Sequence, residues 1–180
     1  MNVLNLYFSS TGNTEKVAFK IQDTVRKLGH NVETVKVTSG DVDVLKFDFV
    51  FAGSGVYWQL PGKPMIEFHR RVLQKYNEEG EVKQASPRRP SANVVVYCTY
   101  GGAHTGINEA IPAVKFMGQL YDHLGYNIVG EWYVVGEYKT DILRDHSIGG
   151  RLGDIRGRPS EEDLNDIAEK VKGILKASSF

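Results

Sequence analysis

The chain contains little cysteine and has no excess of either charge. Cys98 is its one cysteine among 180 residues, which excludes an intrachain disulfide and a cysteine-rich metal or iron–sulfur site. Lysine plus arginine number 22, and so do aspartate plus glutamate. This balance argues against a nucleic-acid partner held by bulk electrostatic attraction.

Long apolar runs are also missing. No run approaches the roughly 18 residues of a membrane span, so we expect no membrane insertion. Met1 leads into an apolar segment without a basic stretch or a small-residue cleavage site, which is not the pattern of a secretory signal. Together with the low cysteine content, this favours a cytoplasmic protein.

Short apolar segments alternate with amphipathic segments along the chain. The length and the 41% hydrophobic content predict one domain over residues 1–180 with a sizeable core. Apolar patterning predicts five strands, at residues 3–8, 31–37, 47–53, 93–98 and 128–135. Helical periodicity predicts four helices, at residues 14–28, 64–73, 110–124 and 160–175. Such alternation is typical of an α/β domain with a parallel sheet covered on both faces.

Two segments show no clear periodicity. Residues 77–90 are charged and include Pro87 and Pro90, which indicates an exposed connection. Residues 137–159 hold scattered glycine, arginine and aspartate. Because 23 residues are long for a plain loop, this segment is either functional or contains short structure of its own.

Three loops that follow strands are rich in glycine, serine, threonine and aromatic residues. We refer to residues 9–14 as the first loop, 54–62 as the second loop and 99–106 as the third loop. Parallel sheets bind ligands beyond the carboxyl ends of their strands, where these loops are expected to lie. The functional site is therefore predicted there.

The first loop joins a strand to a helix N-terminus, where backbone N–H groups and the helix dipole favour an anion. Its hydroxyls are neutral donors, and its glycine permits close approach of the backbone. A turn with an ordinary helix cap is the alternative interpretation. So many hydroxyls exceed what one cap requires, which favours a phosphate site formed by Ser9, Ser10, Thr11, Gly12, Asn13 and Thr14.

The segment from Leu6 to Glu15 resembles the FMN-phosphate loop of the flavodoxin family, whose pattern is Ser/Thr-x-Thr-Gly-x-Thr. Both the hydroxyl positions and Gly12 fit this pattern. The resemblance implies a flavodoxin-like three-layer sandwich with a five-stranded parallel sheet in the order 2-1-3-4-5. It also implies FMN as the cofactor.

The second loop resembles the flavin-edge loop of flavodoxins and flavin reductases, although Gly55 stands where many relatives carry proline. Tyr57 and Trp58 offer flat surfaces that can cover a flavin ring, and core packing is the alternative role. Adjacent aromatics usually face different directions, so we expect one of them, Trp58, to contact the ligand. The residues assigned here are Ser54, Gly55, Val56, Tyr57 and Trp58.

The third loop is similar in place and composition to the second flavin-embracing loop of the same family. The resemblance implies that Tyr100 stacks on the flavin while the amides of Gly101 and Gly102 approach its pyrimidine end. His104 can supply a proton or a positive charge, although a solvated loop histidine is the commoner case. The residues assigned here are Thr99, Tyr100, Gly101, Gly102 and His104.

Other kinds of site find no support. No Gly-Lys-Ser/Thr follows a glycine loop, and no third glycine completes a dinucleotide fingerprint after Gly53. Cys98 lacks the arginine six positions on that a phosphatase loop needs, which favours a buried, inert thiol. We therefore predict no catalytic residue and no metal ligand.

The resemblance implies an FMN-binding redox protein that transfers electrons as flavodoxins do, with a redox protein as partner. The alternative is an NAD(P)H-dependent quinone or flavin reductase with bound FMN, in which arginines within 144–158 meet nucleotide phosphates. Flavodoxins are strongly acidic and this chain is neutral, so its charge does not favour the carrier. Reductases of this kind are often homo-oligomers, and whether the chain is an enzyme stays open at this point.

Overall fold

The structure, a computed structural model, describes residues 1–86 and 88–178. Pro87, which belongs to the connection expected over residues 77–90, lies outside the described residues, as do residues 179 and 180. Around it, residues 83–86 and Arg88 are exposed, in line with the expected connection.

Within the described residues the sheet has six strands. They are β1 (Asn2–Phe8), β2 (Asn31–Lys36), β3 (Phe49–Tyr57), β4 (Leu60–Pro61), β5 (Asn93–Tyr100) and β6 (Asn127–Val135). The order is β2-β1-β3-β5-β6, and all four of these pairings are parallel. The short β4 pairs antiparallel with the end of β3. The predicted five strands and their order are thus confirmed, with β4 as the addition.

The helices pack in two layers against the sheet. They are α1 (Asn13–Lys27), α2 (Lys63–Glu78), α3 (Ile111–His123), the short α4 (His146–Gly149) and α5 (Glu161–Ala177). One core cluster joins the sheet to α1 and α5, and the other joins it to α2 and α3. The predicted three-layer arrangement is therefore confirmed. Separately, the described residues include no helix long and apolar enough to cross a membrane.

Alternation along the buried strands distributes side chains to the two cores. In β3, Phe49 and Phe51 belong to the cluster under α1 and α5, whereas Val50 and Ala52 belong to the cluster under α2 and α3. Successive side chains of a strand point to opposite faces, so a sheet covered on both faces needs an almost continuous apolar strand. This physical requirement explains why the sequence pattern predicted the strands well.

The single cysteine is part of this core. Cys98 lies in β5 and is fully buried, and burial raises the pKa of its thiol. A protonated thiol without access to solvent is a poor nucleophile. The prediction that Cys98 is buried is therefore confirmed.

The aperiodic segment over 137–159 contains short structure. A single 3₁₀ turn (Asp141–Leu143) precedes α4. Ser147 organises the segment, because its Oγ accepts a hydrogen bond from the Tyr138 amide at 2.8 Å and its carbonyl accepts one from the Ile155 amide at 2.8 Å. The final helix, α5, is preceded by its N-cap residue Ser160, which forms a capping box with Asp163.

Candidate ligand-binding site

A cavity of about 320 Å³ opens beyond the carboxyl ends of β1, β3 and β5. From β1 the chain continues outward to β2 on one side, and from β3 it continues outward to β5 and β6 on the other. The strand order therefore reverses between β1 and β3, and such a switch point is where open α/β sheets bind ligands. Four segments form its walls: the first loop, residues 55–59 of the second loop, residues 99–102 of the third loop, and a fourth segment, residues 136–143.

The structure brings all but three of the predicted site residues to this cavity. Those that line it are Ser9, Ser10, Thr11, Asn13, Thr14, Gly55, Val56, Tyr57, Trp58, Thr99, Tyr100, Gly101 and Gly102. Gly12, Ser54 and His104 lie outside the lining, each for a different structural reason.

Gly12 shapes the first loop through its backbone. Its φ of 92° lies in the left-handed region, where a side chain is strained and glycine is not. Its N–H donates to Ser9 Oγ at 3.1 Å, and its carbonyl accepts the first helical hydrogen bond of α1 from Lys16. The amides of Thr11, Asn13 and Thr14 have no acceptor among the described residues. The loop therefore presents unpaired N–H groups at the start of a helix.

Ser54 is buried beneath the second loop. Its hydroxyl donates to the Gly55 carbonyl at 2.8 Å and accepts from the Gly62 amide at 3.0 Å. These bonds close the base of the β3–β4 hairpin. The hydroxyl thus holds the loop in shape from below and does not face the cavity.

His104 is exposed and does not line the cavity itself, but a series of ring contacts connects it to a residue that does. Its ring lies edge-on to His146 at 5.7 Å between centroids, and His146 in turn lies 5.8 Å from the ring of Tyr138. Tyr138 is the member of this series that lines the cavity. His104 therefore occupies the outer side of the third loop.

Hydrogen bonds from the first loop hold the other three segments together. Ser10 Oγ lies 2.5 Å from Tyr57 Oη in the second loop, and Thr14 Oγ1 lies 2.7 Å from Thr99 Oγ1 in the third. Asn13 Nδ2 donates to the carbonyl of Glu137 in the fourth segment at 2.8 Å. The walls are thus fixed relative to one another before any ligand arrives.

The hydroxyls of the first loop consequently have two roles. Ser9, Ser10 and Thr14 each take part in a bond within the protein. A hydroxyl can donate and accept at once, so Ser9, which accepts from Gly12, keeps its proton for a ligand. Thr11 is exposed and has no recorded partner among the described residues. It is therefore the hydroxyl most freely available to a ligand.

The two aromatics of the second loop differ in how closely they are packed. Tyr57 packs against Phe8, with ring centroids 6.1 Å apart, and is also held by Ser10. Trp58 lies at the hairpin tip, where its φ of 51° is unusual for a bulky residue, and it is 92% exposed. Both side chains line the cavity, and Trp58 is free to lie over a flat ligand.

The fourth segment supplies an aromatic wall that the sequence did not reveal. The ring of Tyr138 lies so close to Gly101 that a Cβ there would come within 2.2 Å of it. Tyr138 Oη also accepts a hydrogen bond from the Ala103 amide at 3.4 Å. Burial raises the pKa of the Tyr100 and Tyr138 hydroxyls, so both side chains stay neutral.

Acidic and basic residues both line the cavity, but only the basic one has no partner for its charge among the described residues. Glu109 accepts hydrogen bonds from the amides of His104 and Thr105, and Glu137 accepts one from the amide of Gly157. Lys139 has no acidic partner among the described residues. Those residues contain no cluster of histidine, cysteine, aspartate and glutamate that would hold a metal ion.

Gln59 lies in the predicted second loop, whereas sequence reasoning missed the lining residues Glu109, Gly136, Glu137, Tyr138, Lys139, Thr140 and Leu143. Most of them follow β6 directly, at the same edge of the sheet as the three predicted loops. Their position after a strand was the available signal, although their composition carries no motif. The complete cavity combines unpaired amides with aromatic rings, which suits an anionic ligand that also has a flat ring system.

Comparison with known proteins agrees with this architecture. Residues 4–80 match the model of a flavodoxin domain family. No curated protein matches the chain. Flavodoxin 1 from Bacillus cereus is 13% identical, with 98% of each chain covered and a TM-score of 0.67. Flavodoxin from Fusobacterium nucleatum, bound to flavin mononucleotide, is 12% identical, with 98% of each chain covered and a TM-score of 0.64.

A larger protein contains a similar unit. Rubredoxin oxygen:oxidoreductase from Desulfovibrio gigas is 13% identical over 98% of this chain but only 36% of its own, with a TM-score of 0.59. The fold is therefore that of the flavodoxin-like α/β proteins. The family model covers residues 4–80, which include the first and second loops on which the resemblance rested.

Proposed function

We propose that residues 1–180 form one domain that binds FMN in this cavity and carries electrons between redox partners. One observation carries the proposal. The first loop presents unpaired backbone N–H groups at the start of α1, and hydrogen bonds join it directly to the loops that bear the aromatic rings. A phosphate end and a ring end thus belong to a single rigid cavity.

The phosphate end fits a phosphate monoester through neutral donors. The amides of Thr11, Asn13 and Thr14 and the hydroxyls of Ser9 and Thr11 would hold the phosphate oxygens. Backbone N–H groups at a helix start are aligned with the helix dipole, so they attract an anion without paired cations. The absence of a side chain at Gly12 leaves room for the phosphate beside the backbone.

The ring end fits a flat tricyclic ring. Tyr57 and Trp58 on one side and Tyr100 on the other would lie against it, and the amides of Gly101 and Gly102 are placed to meet its polar edge. When bound, FMN supplies the redox chemistry, because its ring accepts and returns one or two electrons. The protein residues bind the cofactor, orient it and restrict water, and none needs to act as an acid or a nucleophile.

The surroundings favour the carrier over the reductase. Of the arginines expected to meet a nicotinamide nucleotide, Arg156 pairs with Asp154 at 2.5 Å and Arg158 pairs with Asp163. Arg144 and Arg151 are exposed, but neither lines the cavity. Electron transfer to a partner protein requires only an exposed edge of the flavin ring. The hairpin tip at Trp58 is exposed, which is consistent with such an edge.

The carrier role is tested by anaerobic mixing of the FMN-loaded protein with NADH or NADPH, following the visible absorbance of the flavin. We expect bleaching no faster than that of free FMN, because none of the arginines within 144–158 lines the cavity. Dithionite should bleach the bound flavin, and the reduced protein should then reduce added cytochrome c. Rapid bleaching by NADH or NADPH, with turnover when a quinone is added, would contradict the carrier role and identify a reductase.

A further inference from the structure

The phosphate end of the cavity has a cation that the first loop itself does not contain. Lys139, in the fourth segment, lines the cavity. A methyl group placed on Gly12 would lie 3.9 Å from Lys139 Nζ, the nearest heavy atom outside Gly12 and its two chain neighbours among the described residues. The ammonium group is therefore poised over the glycine where the phosphate is proposed to bind.

Contacts distant in sequence hold Lys139 in this position. Asn13 Nδ2 donates to the carbonyl of Glu137, and the amide of Glu137 donates to the carbonyl of Arg158 at 3.0 Å. Gly136 packs so tightly on Asn13 that a Cβ there would come within 2.9 Å of its Nδ2. The backbone two residues before the lysine is thus fixed to the start of α1.

Lys139 is also free of competing partners. No carboxylate pairs with it among the described residues, although two acidic residues line the same cavity. Both of these, Glu109 and Glu137, accept hydrogen bonds from backbone amides elsewhere. A lysine without a partner beside unpaired amides is available to form a charged hydrogen bond with an anionic ligand.

A second, independent feature of this corner indicates a ligand. Asn13 is only 7% exposed and lines the cavity, yet its buried Oδ1 has no hydrogen-bond partner. Buried acceptors are rarely left without a donor in folded proteins. A phosphate dianion carries no proton to donate, so a ligand hydroxyl next to the phosphate would supply the missing donor. The corner therefore fits the phosphate ester of a hydroxylated chain.

We propose that Lys139 binds the phosphate of the ligand across Gly12 and thereby sets the preference for a phosphorylated over an unphosphorylated flavin. This proposal rests on the proposed function, because it names a residue that recognises the phosphate of FMN. Lys139 is a binding residue and takes no part in electron transfer.

The test compares FMN with riboflavin, which lacks the phosphate, as ligands of three variants of the full chain. At low ionic strength, K139M is expected to weaken FMN binding about tenfold, as loss of a partly exposed charged hydrogen bond does. Riboflavin affinity should stay unchanged, and added salt should reduce the difference between parent and K139M for FMN. K139R should recover most of the affinity, because it restores the charge.

Lys83 provides the matched control, since it is exposed and lies in the connection that leads to the start of β5, at the opposite end of the sheet. K83M should leave both affinities unchanged. If the parent binds FMN tightly and K139M binds it equally well, the Lys139 proposal is overturned while the proposed function stands. Equal weakening of FMN and riboflavin overturns it too. A parent that binds neither flavin overturns both.

Discussion

Replacing Gly12 with aspartate is expected to weaken FMN binding about 100-fold while riboflavin binding changes little. The new carboxylate would stand where the phosphate dianion is proposed to lie, and like charges a few ångströms apart cost several kcal/mol at a partly exposed site. It would also pair with Lys139, whose Nζ is 3.9 Å from the position of its Cβ. Flavin fluorescence titrations at fixed ionic strength measure both affinities.

Asparagine at the same position is the matched control. Asparagine has nearly the same shape as aspartate, and it tolerates the left-handed backbone that Gly12 adopts, with a φ of 92°. G12N should therefore lose far less FMN affinity than G12D. Equal losses in the two variants would show that shape or strain matters at this position and that a bound phosphate does not.

Replacing Gly53 with alanine is expected to destabilise the protein by about 3 kcal/mol or more. A Cβ at Gly53, in the middle of β3, would lie 2.0 Å from the ring of Tyr97 on the adjacent strand β5. Tyr97 is completely buried, and its hydroxyl donates to Asn5 at 3.3 Å, so the ring has no free space into which to move. Urea unfolding followed by circular dichroism measures the change in the free energy of unfolding.

The same substitution in α5 provides a control of opposite sign. Gly173 lies in the helix with no heavy atom within 4 Å of its Cβ position, so G173A should stabilise the protein by roughly 0.5–1 kcal/mol. In a Tyr97→Leu background, the cost of G53A should shrink, because the clashing ring is gone. A G53A variant within 1 kcal/mol of the parent would contradict the tight packing of Tyr97 on Gly53.

The sheet was predictable from sequence because its strands are buried on both faces. A strand such as β5, with Val94, Val95 and Val96 all buried, leaves an apolar run that no surface helix would show. The order of the strands came from the resemblance carried by the first loop, since apolar patterning alone does not determine which strands are neighbours.

The short strand β4 was not predicted because its turn lacks the usual signal. A two-residue hairpin turn with positive φ normally carries glycine or asparagine. Here Trp58 and Gln59 adopt φ values of 51° and 63° without either residue type. A hydrogen bond below the hairpin, donated by the Gly62 amide to Ser54 Oγ, holds the turn instead.

The fourth segment of the cavity could not be predicted from sequence for a related reason. Asn13 and Glu137 are 124 positions apart, and a side-chain amide that bonds a distant carbonyl leaves no local pattern. The first three loops have compositions typical of ligand contact, whereas Tyr138 and Lys139 are ordinary residues in an aperiodic segment. Their roles depend on the path of the backbone after β6, which only the structure supplies.

The central claim is that the cavity binds FMN by its phosphate and by its ring together. The most direct measurement is a flavin fluorescence titration of the flavin-free chain with FMN, and in parallel with riboflavin. We predict one FMN per chain with a dissociation constant of about 1 µM or lower, and riboflavin binding at least about tenfold weaker. Absence of any fluorescence change with FMN, or riboflavin binding as tight as that of FMN, would contradict the account.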